Sequence, residues 1–360
     1  MASGVPMSAL LDMTRTTQNA LPFDGQFERT LTDQRYHALN KWFQSDKITV
    51  TGGDQIVRNI VLDPQGNAQH VLPYQKVAVT QLDQHSQISA RWSQVLTRYS
   101  ISRQEIAANR GKAKFIDLIK SKRADSLVDL ANLLEAAAWA TPDSAADNRE
   151  PFGLPYWLNK ANSAVSSTGD FIGQTIRYGN ASTTTTKGGI DGSTSANAHW
   201  RNWAFTYDAV NADFVKRLRE AFFATDFQSP MVAAELMTGS PSNYRIYMGR
   251  RVLTEFTDLT TNANDNLGSD LAPFEGNVSF RKLPILHAPR LNDDTDDPIY
   301  GVNHAKFAPY IADGEWMVET EAETDVEQPG VFTTTVYGQY QFFCKNVREA
   351  GFVGSLVTSA

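Results

Sequence analysis

Residues Arg103–Trp139, RQEIAANRGKAKFIDLIKSKRADSLVDLANLLEAAAW, carry the clearest periodicity in the chain. Ile106, Phe115, Ile116, Ile119, Leu127, Leu130, Leu134 and Ala138 recur at three- and four-residue steps, which predicts an amphipathic helix with one apolar stripe. Gly111 and Ser121 are the weak points where a bend or break is expected. Thr141-Pro142 closes the stretch, because the residue before a proline is pushed out of helical geometry. A single helix over 103–139 would run about 55 Å at ~1.5 Å per residue. A rod of that length outruns a compact domain and points to an extended, plate-like body.

Upstream of the helix, residues 47–101 read as strand material. Ile48 and Val50 alternate with polar neighbours, Gly52-Gly53 punctuates, and Ile56–Leu62 runs into the turn cluster Asp63-Pro-Gln-Gly-Asn67. Val71-Leu72-Pro73, Val77–Val79, Ile88–Trp92 and Val95–Ile101 follow, rich in β-preferring side chains. The pattern predicts a long hairpin with polar tips, too wet for a packed sandwich. Residues 1–45 hold scattered aromatics, among them Phe23, Phe27, Tyr36, Trp42 and Phe43, with no closing pattern. They read as an arm seeking another surface.

Downstream, residues 150–203 are rich in loop signals, including Gly153-Leu-Pro-Tyr-Trp157, Thr168–Gly173, a Thr183–Thr186 run and Gly188-Gly-Ile-Asp-Gly192. A second helix is expected on the stripe Phe214, Val215, Leu218, Ala221 and Phe222, with Asn211 as its N-cap. From Tyr244 onward short strands alternate with turns: Tyr244–Met248, Val278–Leu286, Ile299–Val302, Trp316–Val318 and Val331–Phe343.

Composition narrows the function classes. The chain has 360 residues, 41% of them hydrophobic and 20% charged, and a formal charge of −7; this is a folded, core-forming composition and not a disordered one. Residues 1–250 hold 26 basic against 23 acidic side chains, while residues 251–360 hold 7 against 17. No basic excess advertises a nucleic-acid binder. Cys344 is the single cysteine; it excludes an internal disulfide, fits a reducing compartment, and is expected in the core. No apolar run approaches the ~20 residues that span a bilayer, and Met1–Leu10 lacks signal-peptide order. The expectation is a soluble chain made in a cytoplasm.

Candidate chemistry is sparse. No phosphate-cradling or dinucleotide glycine motif occurs, and the six histidines lack metal-ligand spacing. Asp293, Asp294, Asp296 and Asp297 form the sharpest carboxylate cluster and the weak candidate for Ca²⁺, yet it lacks the glycine and closing glutamate of a calcium loop. A solvated, self-repelling turn is the competing reading. Arg110, Lys112, Lys114, Lys120, Lys122 and Arg123 could line one helix face toward the phosphates of a nucleic acid, or pair with Asp125 and Asp129 as a solvated face. Trp157, Trp200 and Trp203 could anchor an interface or line a sugar cleft. Only Asp170 and Asp191 stand near them in sequence, a poor carboxylate pair for glycoside hydrolysis.

The order of elements is more specific than any motif. Arm, long hairpin, spine helix, loop-rich middle, second helix and acidic β-rich end resemble the major capsid proteins of tailed bacteriophages, with the Hong Kong 97-type fold. Thr49-Val-Thr-Gly-Gly-Asp-Gln-Ile56 through Ile88-Ser-Ala-Arg-Trp92 resembles that family's extended loop. Arg103–Asn109 leading into the spine, Phe152-Gly-Leu-Pro-Tyr-Trp157, and the closing stretch Gly276–Arg281 to Arg348-Glu-Ala-Gly351 are similar to segments of the family.

The resemblance implies an α+β fold divided into an N-terminal arm (1–45), extended loop (46–102), peripheral domain with spine helix (103–224, helix 103–139), axial domain (225–320) and a return to the peripheral domain (321–360). It implies no catalytic residues and no cofactor. The implied function is a shell subunit that self-assembles into hexamers and pentamers around a double-stranded DNA genome, in a virion assembled in the host cytoplasm. Implied partners are other copies of the chain, portal and scaffolding proteins, a decoration protein and non-specific contact with DNA, with no membrane. Trp42, Phe43, Pro64, Tyr74, Lys76 and Trp92 are the expected inter-subunit contacts. Some members cross-link a loop lysine to a neighbour's asparagine; Lys76 is the loop lysine, and the sequence identifies no acceptor. The start at Met1 carries the expectation that no scaffolding segment is cleaved away. Two rival readings are an encapsulin-like nanocompartment shell with the same fold, and a carbohydrate-binding or carbohydrate-active protein built on the tryptophans.

Overall fold

The computed structural model describes residues 38–62, 70–73, 75–76, 85–108, 118–161, 169–225, 243–264, 279–280, 283–324, 328 and 330–357. Two sheets form the body. The first is organised on β18 (Val331–Cys344), whose 14 residues pair antiparallel with β4 (Ser93–Ser102) from Val331↔Ser102 to Tyr340↔Ser93. Its other edge takes β15 (Phe307–Ala312), β16 (Val318–Glu319) and β17 (Glu323–Thr324) in turn, and β1 (Ile48–Val50) adds parallel to β15. Along most of β18 buried and half-buried residues alternate, as period-2 geometry requires, until the buried run Tyr340–Cys344.

The second sheet has seven strands in the order β12 (Ser279–Phe280), β13 (Leu283–His287), β11 (Tyr244–Met248), β14 (Ile299–Asn303), β19 (Gly351–Leu356), β10 (Asn202–Tyr207) and β5 (Asp170–Gly173). Its two faces serve two cores. Tyr247, Tyr300, Val302 and Val353 join the core shared with the first sheet; Ile246, Ile299, Phe205 and Phe352 face a second core. That second core is completed by helices α5 (Ala212–Thr225) and α6 (Arg250–Asn264), through Phe214, Leu218, Phe222, Val252 and Phe256. Small residues make the aromatic packing possible. A Cβ on Gly301 would lie 2.2 Å from the Phe352 ring, and one on Gly354 would lie 2.6 Å from Phe205.

The remaining elements attach to this frame. Helices α1 (Ala38–Asp46, a π-helical segment) and α3 (Leu118–Ala138) close the shared core, with α2 (Arg103–Ala108) continuing directly from β4. Ser102 and Glu105 cap α2 reciprocally: Glu105 N–H donates to Ser102 Oγ at 3.2 Å, and Ser102 N–H donates to Glu105 Oε2 at 2.9 Å. The short α4 (Leu154–Trp157), the hairpins β6 (Ile176–Arg177)–β7 (Thr183–Thr184) and β8 (Thr186–Lys187)–β9 (Ile190–Asp191), and α7 (Val347–Ala350) fill the joins. A separate two-stranded hairpin, β2 (Gln55–Val61) with β3 (His85–Arg91), packs one face on the shared core and joins neither large sheet.

Several expectations hold. Asn211 accepts the Phe214 N–H at 3.0 Å and caps α5, whose buried stripe includes Phe214, Leu218, Ala221 and Phe222. Cys344 is fully buried. Three expectations are corrected. Helix runs through Ser121 without a break, because one serine mid-helix costs only tenths of a kcal/mol; residues 109–117, Gly111 among them, lie outside the described residues. The end of the expected arm is part of the body: Trp42 is 0% exposed, inside the shared core. Both sheets draw strands from either side of 224/225 or 320/321: β10 pairs with β19 in parallel, and β15 pairs with β18. Helix α6 occupies a stretch read as strand and turn; Val252, Leu253 and Phe256 supply a short stripe that its four threonines obscure.

Candidate functional site

The β2–β3 hairpin is the element whose chemistry is unfinished. Seven residue pairs hold its register, from Gln55↔Arg91 to Val61↔His85. One face, with Ile56, Ile88 and Ala90, is buried in the shared core. The other shows Val57 at 50% and Val61 at 43% exposure, and beyond the strand Leu72 reaches 75%. No third strand pairs with either edge among the described residues. The β2 edge therefore presents backbone N–H and C=O groups of the kind that recruit another chain, while the β3 edge is partly met by the chain itself. A two-stranded ribbon is marginal in water unless packed, and only one face of this one is.

Its base is fixed firmly. Trp92 Nε1–H donates to Gly53 O at 2.9 Å, and Ser89 N–H to Gly188 O at 2.9 Å. Arg91 donates to the carbonyls of Asp147 and Glu150 and lies 4.5 Å over the Phe152 ring. Desolvation from this packing lowers the Arg91 pKa, with Asp147 opposing. The Arg91 carbonyl in turn accepts from Gln341 of β18 at 2.8 Å. A rigid root carrying an apolar, open-edged blade is a geometry for reaching a neighbour. A second apolar feature is a cross-strand row on the first sheet. Leu96 of β4, 51% exposed, sits opposite Tyr337 of β18, which sits opposite Val318 of β16.

The expected contact residues divide. Trp42 and Phe43 are internal: Trp42 Nε1–H donates to Tyr247 Oη at 2.9 Å, and Phe43 stacks on Trp316 at 4.9 Å. Their place among expected neighbour contacts is corrected, because the shared core needs their area. Trp92 is half-buried at the hairpin root, and Lys76 is exposed. Pro64 and Tyr74 lie outside the described residues.

Two charges of the basic run, Lys122 and Arg123, can be placed, and each has a carboxylate partner. Lys122 Nζ binds Glu105 at 2.9 Å and donates to the Ser100 carbonyl at 3.0 Å. Arg123 forks onto Glu319 with contacts of 2.8 and 3.1 Å, and that fork holds the Glu319 carboxyl below its ordinary range. Both charges are already matched within the chain. Arg110, Lys112 and Lys114 lie outside the described residues, as does the Lys120 side chain.

The acidic loop is matched as well. Lys160 Nζ binds Asp294 and, at 3.1 Å, Asp296, while Arg251 reaches Asp297 at 2.9 Å. Arg250, Arg251 and Asn292 line the adjoining cleft with Asp293. An ammonium and a guanidinium thus already pair with three of the four carboxylates. Among the described residues no three His, Cys, Asp or Glu side chains are grouped to hold a metal ion.

The tryptophans are not a sugar platform. Trp157 and Trp200 are fully buried, with their N–H groups on the Phe342 and Lys187 carbonyls at 3.0 and 3.1 Å. Between them lies a group that sequence reasoning missed. Lys187 is 0% exposed, its Nζ donating to Gly173 O at 2.6 Å, Asn202 Oδ1 at 3.0 Å and Trp157 O at 3.1 Å. Desolvation lowers its pKa to about 7. The nearby Cys344 thiol is pushed up to about 12 by burial, which makes it inert as a nucleophile. Nothing in Thr186-Lys187-Gly188-Gly189 marks a buried cation; turn lysines are ordinarily solvated.

No family model matches the chain, and no match was found among curated proteins. Solved structures do match. A chain of the cyanophage A-1(L) capsid asymmetric unit superposes with a TM-score of 0.62 at 13% identity, covering 92% of this chain and 95% of that one. The capsid of Myoviridae phage XM1 gives 0.52 at 7% identity, with 99% and 100% covered. The capsid of cyanophage P-SCSP1u gives 0.51 at 12%, with 99% and 96% covered. The fold is thus the α+β, Hong Kong 97-type fold of phage capsid subunits, over nearly the whole chain. No helix among the described residues is long and apolar enough to cross a membrane.

Proposed function

We propose that a chain with this fold works as the major capsid protein of a tailed phage, building an icosahedral head around double-stranded DNA from hexamers and pentamers. The observation that carries the proposal is the β2–β3 hairpin, anchored at its root and offering Val57, Val61 and a β2 edge unpaired among the described residues. Such a blade is completed by another copy of the chain, through main-chain pairing and side-chain burial together. Contacts of this kind are heterologous, one surface meeting a different surface on the next subunit, and they close into rings.

Within this reading the unit carrying α3 and the first sheet is the peripheral domain, and the seven-stranded sheet with α5 and α6 is the axial one. The protein acts without catalysis. Portal, scaffolding and decoration proteins, and non-specific contact with packaged DNA, are the partners the reading calls for; its place is the virion, after assembly in the host cytoplasm.

Electron microscopy of the purified full-length chain tests it. Closed shells or capsomer rings are expected. A monodisperse monomer at every concentration, salt and crowding condition tried would overturn the reading. Shells that form in the producing cell around a cargo enzyme, with no genome or portal, would favour the nanocompartment instead.

A further inference from the structure

Helix α1 is bolted down at both ends. At its start the Ala38 N–H donates to the buried Glu135 Oε2 of α3 at 2.8 Å. At its end Asp46 takes a two-pronged contact from Arg245 of β11 at 2.8 and 3.3 Å. Between the bolts the Trp42 ring lies 5.2 Å from the imidazole of His304, which is buried in the turn joining β14 and β15. Trp42 Nε1–H donates to Tyr247 Oη at 2.9 Å, and that hydroxyl stands 2.9 Å from His304 Nε2. An indole N–H can only donate. The tyrosine oxygen accepts from Trp42, and its contact with His304 Nε2 runs in the direction set by the imidazole tautomer.

The other ring nitrogen is just as constrained. Nδ1 is buried without a hydrogen-bond partner, 4.0 Å from Asp46 Oδ2, whose carboxylate is committed to Arg245. The charged groups around the ring are Asp46 and Lys41 on α1, Arg245 and Tyr247 on β11, and, toward the start of α1, Glu135 on α3; the backbone of Phe307 flanks it from β15. Burial first, then the positive charge of Arg245, disfavour a second proton on the imidazole; the Phe307 backbone opposes them and Lys41 adds to them. An imidazolium would be a desolvated cation buried beside the Arg245 guanidinium, away from solvent.

We propose that His304 is an acid-sensitive pin: neutral, it holds α1 on the body, and protonated, it releases α1 and with it the point where residues 1–37 join. The sign follows from proton counting. The docked state binds fewer protons at His304 than the released state once pH falls below the ordinary histidine value, so docking weakens as acidity rises. The device concerns the root of the N-terminal segment and stands independently of the assembly reading.

Hydrogen–deuterium exchange of the full chain, corrected for intrinsic rates, tests it on the peptide covering Ala38–Asp46. Protection in α1 is expected to fall roughly tenfold per pH unit below about pH 6.5, while β18 stays protected. Exchange at the imidazole C2–H, read by mass spectrometry, should show His304 titrating in step with that loss. His304→Gln keeps an acceptor for Tyr247 and cannot be protonated, so its α1 protection should be flat with pH. Protection that is flat in the wild type down to pH 5, or that falls equally in His304→Gln, overturns the proposal. Should His304→Gln fail to fold, the wild-type comparison decides alone: α1 opening out of step with His304, or only together with β18, is equally fatal.

Discussion

Replacing Lys187 with methionine removes a buried cation while nearly preserving the volume of its stem, and the structure sets the size of the effect. The ammonium is fully enclosed, held by three oxygens and no carboxylate. Its pKa falls from 10.5 to about 7, chiefly through desolvation. At ~1.36 kcal/mol per pH unit, that gap corresponds to about 5 kcal/mol of penalty for keeping the group charged in the folded chain. Between those two values the unfolded chain binds more protons than the folded one, so stability gained from this site rises with pH. Below pH 7 both states hold the proton and the full penalty is constant. Between pH 7 and 9.5 the wild type should therefore gain about 3 kcal/mol relative to Lys187→Met, which has nothing to titrate there. Urea unfolding curves followed by tryptophan fluorescence at the two pH values measure it, and groups common to both chains cancel in the difference. Parallel pH profiles, within about 0.5 kcal/mol, would refute the view that Lys187 is stored as a desolvated amine.

Other perturbations test other parts of the structure. The double change Val57→Asp and Val61→Asp should abolish assembly seen by light scattering, with the circular dichroism of the chain unchanged, since both side chains point away from its own core. Trp42→Ala should cost about 3–5 kcal/mol in urea unfolding, the usual range for emptying a large aromatic site. Gly301→Ala should cost about 1–3 kcal/mol by the same assay, because the Phe352 ring occupies the space the methyl needs. Ser102→Ala should cost about 1 kcal/mol, and exchange protection should drop first in α2, whose cap it removes.

Element order was legible from sequence because it rests on period and punctuation. The strand at Tyr244–Met248 and the capped helix after Asn211 are written in alternation and in a side-chain oxygen placed at the helix start. The Ser102-Arg-Gln-Glu105 capping box was equally readable and went unread. What stayed hidden depends on distance in sequence. The partner of Arg123 is Glu319 and that of Lys160 is the Asp294–Asp296 turn, so a basic run and an acidic loop that look unpaired in one dimension are matched in three. Trp42 looked like an exposed anchor for the same reason: its pocket is built by Trp139, Tyr247, His304, Phe307 and Phe342, which no local pattern connects. The hairpin was found because its unfinished character is local, with valines on one face and turn residues beyond.

Strand β19 lies between β14 and β10, and β18 is the strand on which every other pairing of its sheet but one depends. A ribosome making this chain delivers residues 331–356 after all the strands they join. Until then Asn202–Tyr207 and Ile299–Asn303 have no neighbour on their inner sides, and neither sheet can close. A nascent chain thus carries sticky intermediates late into synthesis, the stage at which helper proteins act and mispairing is most dangerous. The same ordering is a safeguard of timing, because no partly made chain can present the surfaces of the finished fold.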